Sequence, residues 1–135
     1  MKFLVFVLGV VALTSALKTA EESKLIRSTC LASMSEDNKL AVRNFKYPKN
    51  DEIMNYVHCV AEGVESFGKN GFEYEIMSKI FKMPEDEMKL LVDECLKKFP
   101  YKDYTKHEEL AYVQWLCLLE NDKFKEKALT LSKAL

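Results

Sequence analysis

Leu110 to Leu119 reads LAYVQWLCLL, ten positions in which only Gln114 is strongly polar. A helix this apolar on all sides belongs in the middle of a fold, covered on most faces by other elements. It is too short, and too closely flanked by charge, to span a membrane. Thr105 and Glu108 just before it read as a capping box, in which each side chain takes a backbone N–H at the other's position. A central helix needs partners, so its neighbours decide the fold class.

Upstream, Pro84 suits the first position of a helix whose Glu85, Asp86 and Glu87 complement the N-terminal dipole. Met88, Leu91, Val92, Cys95 and Phe99 form its apolar stripe. A shorter segment before it places Ile76, Met77, Ile80 and Phe81 on one side. The break Tyr47-Pro48-Lys49-Asn50 restarts a helix at Asn50 or Asp51, with Ile53, Val57, Val60, Val64 and Phe67 as its buried face. Gly68-Lys69-Asn70-Gly71 is expected to end that helix, because Gly and Asn tolerate the left-handed conformation of a helix stop. Ser35 caps a short helix to about Asn44, and Thr19 with Glu22 opens another through about Ser33. Downstream, Asp122 to Leu135 alternates Lys and Glu with Phe124, Ala128, Leu129 and Leu131, a weaker amphipathic helix. Strand signals are nearly absent. The fold class is all-α, a compact bundle of about six to seven short helices.

A chain of 135 residues is enough for one domain with a real core. Lys+Arg 20 against Asp+Glu 21 argues against nucleic acid as a partner, since a phosphate backbone needs a net positive surface. Met1-Lys2, the apolar run Phe3 to Leu13 and the small residues Thr14-Ser15-Ala16 follow the layout of a secretory signal peptide. The run is too short for a permanent anchor; a buried N-terminal strand is the rival reading. Residues 1–16 are therefore expected to be removed. That leaves 17–135 as a single secreted, extracellular domain without a membrane anchor, a monomer or a weak homodimer.

Export changes how Cys30, Cys59, Cys95 and Cys117 are read: an even count in an oxidising compartment predicts two disulfides. No pair has the Cys-x-x-Cys spacing of a structural zinc site, and His58 and His107 do not supply what is missing. Neither a metal nor a cofactor is expected. Four cysteines allow three pairings, and spacing does not choose among them. Helix faces narrow the choice: Cys95 lies on the stripe of its helix, and Cys117 continues the Leu110, Val113 line of the central one. A bridge between these two leaves Cys30 for Cys59.

With these positions the chain resembles the insect odorant-binding proteins, also called pheromone-binding or general odorant-binding proteins. That family usually has six cysteines, three residues separating the second from the third and eight the fifth from the sixth. Cys59 matches the third and Cys117 the sixth, which puts Asn55 and Glu108 where the second and fifth would stand. Glu109-Leu110-Ala111 looks like the family's Glu-x-Ala after its fifth cysteine. Phe67-Gly68 with Asn70-Gly71 resembles the turn after its third helix. The two missing cysteines bond to each other in the family, so the chain looks like a member of its four-cysteine, "minus-C" branch. The resemblance covers residues 17–135. It implies the pairings Cys30–Cys59 and Cys95–Cys117, about six helices around an apolar cavity, and transport of small hydrophobic molecules such as odorants, pheromones or fatty-acid-like compounds. Without the middle bridge, the third helix and the central helix are expected to move more freely.

Small-ligand sites are concave and mostly apolar with few polar groups, and methionine suits an adaptable wall. Met54, Val57, Phe72, Ile76, Met77, Ile80, Met88, Leu91, Val92, Val113, Leu116 and Phe124 are the candidate lining residues. Tyr112 and Trp115 are the candidates for a polar contact. Each taken singly reads equally well as ordinary core, because helical apolar stripes usually mean packing. His58 shares the polar face of Asn55, Glu62 and Glu65 and is expected to be solvated, as is His107. No Ser-His-Asp order, HExxH or glycine-rich phosphate loop is present, so no catalytic residue is assigned. Three function classes remain: a carrier without catalysis, a packed interaction or structural protein of haemolymph, seminal or salivary fluid, and a small hydrolase lacking any recognisable nucleophile and base.

Overall fold

The computed structural model describes residues 20–134; the expected signal peptide and the Thr19 cap lie outside them. In chain order the elements are α1 (Ala20–Leu31), α2 (Glu36–Arg43), α3 (Asp51–Gly63), β1 (Phe67–Gly68), β2 (Gly71–Phe72), α4 (Tyr74–Phe81), α5 (Glu85–Lys98), a single 3-10 turn (Tyr101–Asp103), α6 (His107–Leu119) and α7 (Asp122–Ala134). The fold is all-α, as expected. Its one departure is the two-residue antiparallel hairpin, where Phe67 faces Phe72 and Gly68 faces Gly71.

Helix starts follow short polar side chains where the sequence offers them. Ser35 accepts the backbone N–H of Asn38 at the head of α2, and Asn50 accepts that of Ile53 at the head of α3, each satisfying one orphan donor. The predicted Thr105 capping box does not form. The residue before α6 is Lys106, which offers no side-chain cap, so Thr105 stands one position too early. Pro84 sits just before the first turn of α5 rather than inside it.

Helix stops depart further from expectation. The third helix ends at Gly63, before the predicted stop at Gly68 to Gly71, and Phe67 belongs to the hairpin. Glu65 takes a φ of 63°, as Phe45 and Lys82 take 58° and 54°. After each, the next backbone N–H reaches back five residues: Lys46 to Ala41, Ser66 to Ala61, Met83 to Ser78. All three are Schellman stops made without glycine. The left-handed backbone costs on the order of 1–2 kcal/mol at such residues. Gly71, with φ 130°, is a different case: a Cβ there would collide with the Gln114 amide.

Around α6 the buried side chains form two clusters. One joins Cys30, Met34, Val42, Ile53, Tyr56 and Val57 to Ala111 and Tyr112. The other joins Phe72, Met77, Met83, Met88, Val92 and Cys95 to Cys117, Leu118, Phe124 and Ala128. Each contains one disulfide: Cys30–Cys59 ties α1 to α3, and Cys95–Cys117 ties α5 to α6. At Gly63 the missing side chain lets Ile26 of α1 lie directly against α3.

Gln114 is fully buried in the middle of α6. Its Oε1 accepts the backbone N–H of Phe72 at 3.1 Å. Its Nε2 donates to the carbonyl of Phe99 at 3.1 Å and to that of Asn70 at 3.4 Å. One amide thus closes the hairpin and caps the end of α5. Gln114→Leu keeps the volume but strands a buried donor and two acceptors. We expect it to lower stability by about 2 kcal/mol and Tm by roughly 5–10 °C, read by urea and thermal unfolding. Replacing Cys95 and Cys117 together by Ser opens a loop of 22 residues' separation and is expected to remove about 3 kcal/mol. A change under 1 kcal/mol in either denaturation experiment would contradict the corresponding assignment.

Candidate ligand cavity

A cavity of about 350 Å³ lies between the two clusters. Its apolar walls come from Val57, Val60 and Ala61 on α3 with Val64 just after it, Phe72 on β2, Met77, Ile80 and Phe81 on α4, Trp115 on α6, and Ala128 and Leu131 on α7. The Schellman stops matter here, because Phe45, Ser66 and Lys82 all border the cavity at or just after one. Three helices thus end beside this space. The polar edge is formed by Ser23 and Arg27 of α1, by Lys79 and Lys82, and by Ser132. Both lysines are exposed, so this side is the mouth.

Aromatic rings set the shape of one wall. Trp115 meets Tyr47 edge-on with centroids 6.0 Å apart and Phe124 edge-on at 5.6 Å. It also lies tilted against Phe72 at 6.3 Å and Phe81 at 6.1 Å. The indole N–H of Trp115 is buried without a partner of hydrogen-bond geometry. Burial, and secondarily the Tyr56 phenol, push the Tyr47 hydroxyl well above the ordinary tyrosine range, while Trp115 and Arg27 pull it partly back. Tyr47 therefore stays a neutral phenol at any physiological pH. Ser66 is already used, donating to the Ala61 carbonyl at 3.1 Å.

Of the residues singled out from the sequence, Val57, Phe72, Met77, Ile80 and Trp115 are brought together on the cavity wall. The others are not. Met54, Val113 and Leu116 pack on the α1–α3 cluster. Met88 and Val92 are buried in the other cluster, with Leu91 packed against it, and none of the three borders the cavity. Ile76 is half-buried on α4 but off the wall. Phe124 stands behind the wall, fully buried against Phe81 and Trp115. Tyr112 turns away and donates its hydroxyl to the Tyr47 carbonyl at 2.6 Å, holding the loop that carries Tyr47 rather than facing a ligand.

Sequence reasoning missed Phe45, Tyr47, Tyr56 and Val60 altogether as lining residues, although Val60 had been placed on the buried face of its helix. Phe45 and Tyr47 lie in the α2–α3 connection, where no periodicity exists to reveal them. His58 is also corrected. Its side chain is only 19% exposed, with Nε2 2.7 Å from Glu62 Oε1 and its ring against Phe67 and His107. His107 is exposed, as expected. Among the described residues no group of three or more His, Cys, Asp or Glu is arranged to hold a metal ion, and no helix is long and apolar enough to cross a membrane.

No curated protein matches the chain. A family model does, the PBP/GOBP family, over residues 14–121, a stretch that runs from before α1 through α6 and so contains both disulfides and most of the cavity wall. The chain belongs to the PBP/GOBP family, the insect odorant-binding proteins, a family of secreted binding proteins known for holding odorants and pheromones.

Proposed function

We propose that this protein is a secreted carrier that takes up one small hydrophobic molecule in the cavity beside Trp115 and performs no chemistry on it. The observation that carries the reading is the cavity itself: apolar on its walls, polar at one edge, and within the size range of small-molecule sites. A fully packed interior, as an interaction protein would have, leaves no such space. At the ~30 Å³ that a water molecule occupies in the liquid, the volume suits a ligand of about a dozen heavy atoms. That is the scale of a volatile terpenoid or a medium-chain alcohol.

Residues 1–16 act in this reading as the export signal, and the mature carrier begins at Leu17. The chain is a member of the minus-C branch, with Asn55 and Glu108 in the places of the missing pair. Export suits the two disulfides, which persist in oxidising fluids. The ligand is shielded from water during transit, and no receptor contact is needed for that step.

Trp115 is the single tryptophan of the sequence and lines the cavity, so its emission reports occupancy directly. We expect the full chain, expressed in a secretory host, to be recovered from the medium beginning at Leu17. Titration with an environment-sensitive apolar fluorophore is expected to saturate at one site per chain, with a Kd on the order of 1–10 µM, displaced by terpenoids or alcohols as Trp115 emission shifts. Val60→Trp, which fills the cavity from α3, is expected to weaken binding at least tenfold without loss of helical circular dichroism. Absence of saturable binding at neutral and mildly acid pH would end the carrier reading.

A further inference from the structure

Every charged side chain that borders the cavity is a cation. Arg27, Lys79 and Lys82 line it; among the described residues no Asp or Glu does. This is not a reflection of overall composition, since the chain carries slightly more acid than base. Nor are these three cations committed elsewhere, for among the described residues none takes part in an ion pair. A mouth ringed only by positive charge favours an anion over a neutral or cationic molecule of the same shape.

The tyrosine beside the cations has the same bias in hydrogen-bonding terms. The indole N–H of Trp115, a donor and nothing else, is enclosed short of good hydrogen-bond geometry, and the group it acts on is the Tyr47 hydroxyl. The Tyr47 phenol beside it keeps its proton, because burial disfavours the phenolate, and so remains able to donate. Tyr47 and Arg27 share one end of the cavity. Trp115 packs on Tyr47, whose hydroxyl feels the Arg27 charge, and on Phe81, the residue before Lys82. Guanidinium and ammonium groups can only donate, so the complementary head group is one that only accepts. An ionised carboxylate is such a group.

We infer that the preferred occupant is a medium-chain carboxylate, its tail against Val57, Val60, Met77 and Ile80 and its head among Tyr47, Arg27 and the lysines of the mouth. This rests on the carrier reading and narrows it: a neutral odorant of equal length fills the same walls but leaves the charges unanswered. The negative head also remains near water, as the partly exposed mouth allows, so the carboxylate need not lose its hydration entirely.

The test is a head-group series of constant tail: decanoate, 1-decanol and decylammonium, each below its aggregation threshold, followed by Trp115 emission at pH 7.5. Decanoate is expected to bind about tenfold more tightly than decanol, with decylammonium weakest. The advantage should shrink several-fold between 20 mM and 0.5 M salt, as screening requires. Replacing Arg27, Lys79 and Lys82 together by Gln should bring the decanoate-to-decanol ratio close to one. Should the triple variant fail to fold, the salt dependence of the unaltered protein and the Arg27→Gln single variant carry the same information. Equal binding of all three probes, or a ratio indifferent to both salt and charge removal, overturns the inference and leaves the carrier standing. Binding of none of the three removes the carrier reading itself.

Discussion

One side-chain amide fixes the arrangement on which the cavity depends. Gln114 lies in the most apolar helix among the described residues, where a polar group is tolerated only if its hydrogen bonds are made. It makes three, to the N–H of Phe72 and to the carbonyls of Asn70 and Phe99. Those bonds hold the hairpin at a set height along α6. The hairpin in turn places Phe72 on the cavity wall and leads into α4, which supplies Met77, Ile80 and Phe81. Gly71 is required for this approach, since any side chain there would occupy the position of the amide. An apolar residue at 114 would pack the core as well and would leave the wall of the cavity without a fixed position.

Much of the frame was legible in the residues. The polar caps at Ser35 and Asn50, the break at Pro48 and the stripe Met88, Val92, Cys95 each act locally, within one or two turns, and a local signal survives reading in one dimension. The apolar run of α6 announced a central helix for the same reason. Its one polar residue was the visible sign that something in the core had to be hydrogen-bonded, although the partners, 15 to 44 residues away, were not.

The parts that could not be read have a common cause. Three helices stop at Phe45, Glu65 and Lys82 in left-handed backbone, and none of these residue types advertises that conformation. The glycines that do advertise it belong to the hairpin. Tertiary contacts override local preference at those stops, and the cavity opens beside them. The site was obscured in a related way. Periodicity says which face of a helix is buried but not whether that face meets another side chain or an empty space. Val92 and Val57 are equivalent to a hydropathy pattern, yet one packs in the α5–α6 core and the other borders the cavity. Tyr47 and Phe45, in a connection without any period, were invisible to it.

The placement of the disulfides explains why the empty space lies where it does. Each bridge staples a pair of helices within one cluster, α1 to α3 and α5 to α6, and no bridge crosses from one cluster to the other. The cavity takes residues from both sides of this seam: Tyr56 and Val57 from one cluster, Phe72, Met77 and Ala128 from the other. Phe67 and Trp115 pack against both. Close packing within a stapled cluster resists any change of volume. Between the clusters no disulfide runs, although α3 and α6 contribute side chains to both, and the contacts around the cavity are rings and aliphatic side chains held by packing alone. The cavity therefore lies where packing rather than a disulfide sets the width of the space, and Trp115, packed against both clusters, is the side chain that joins its two sides.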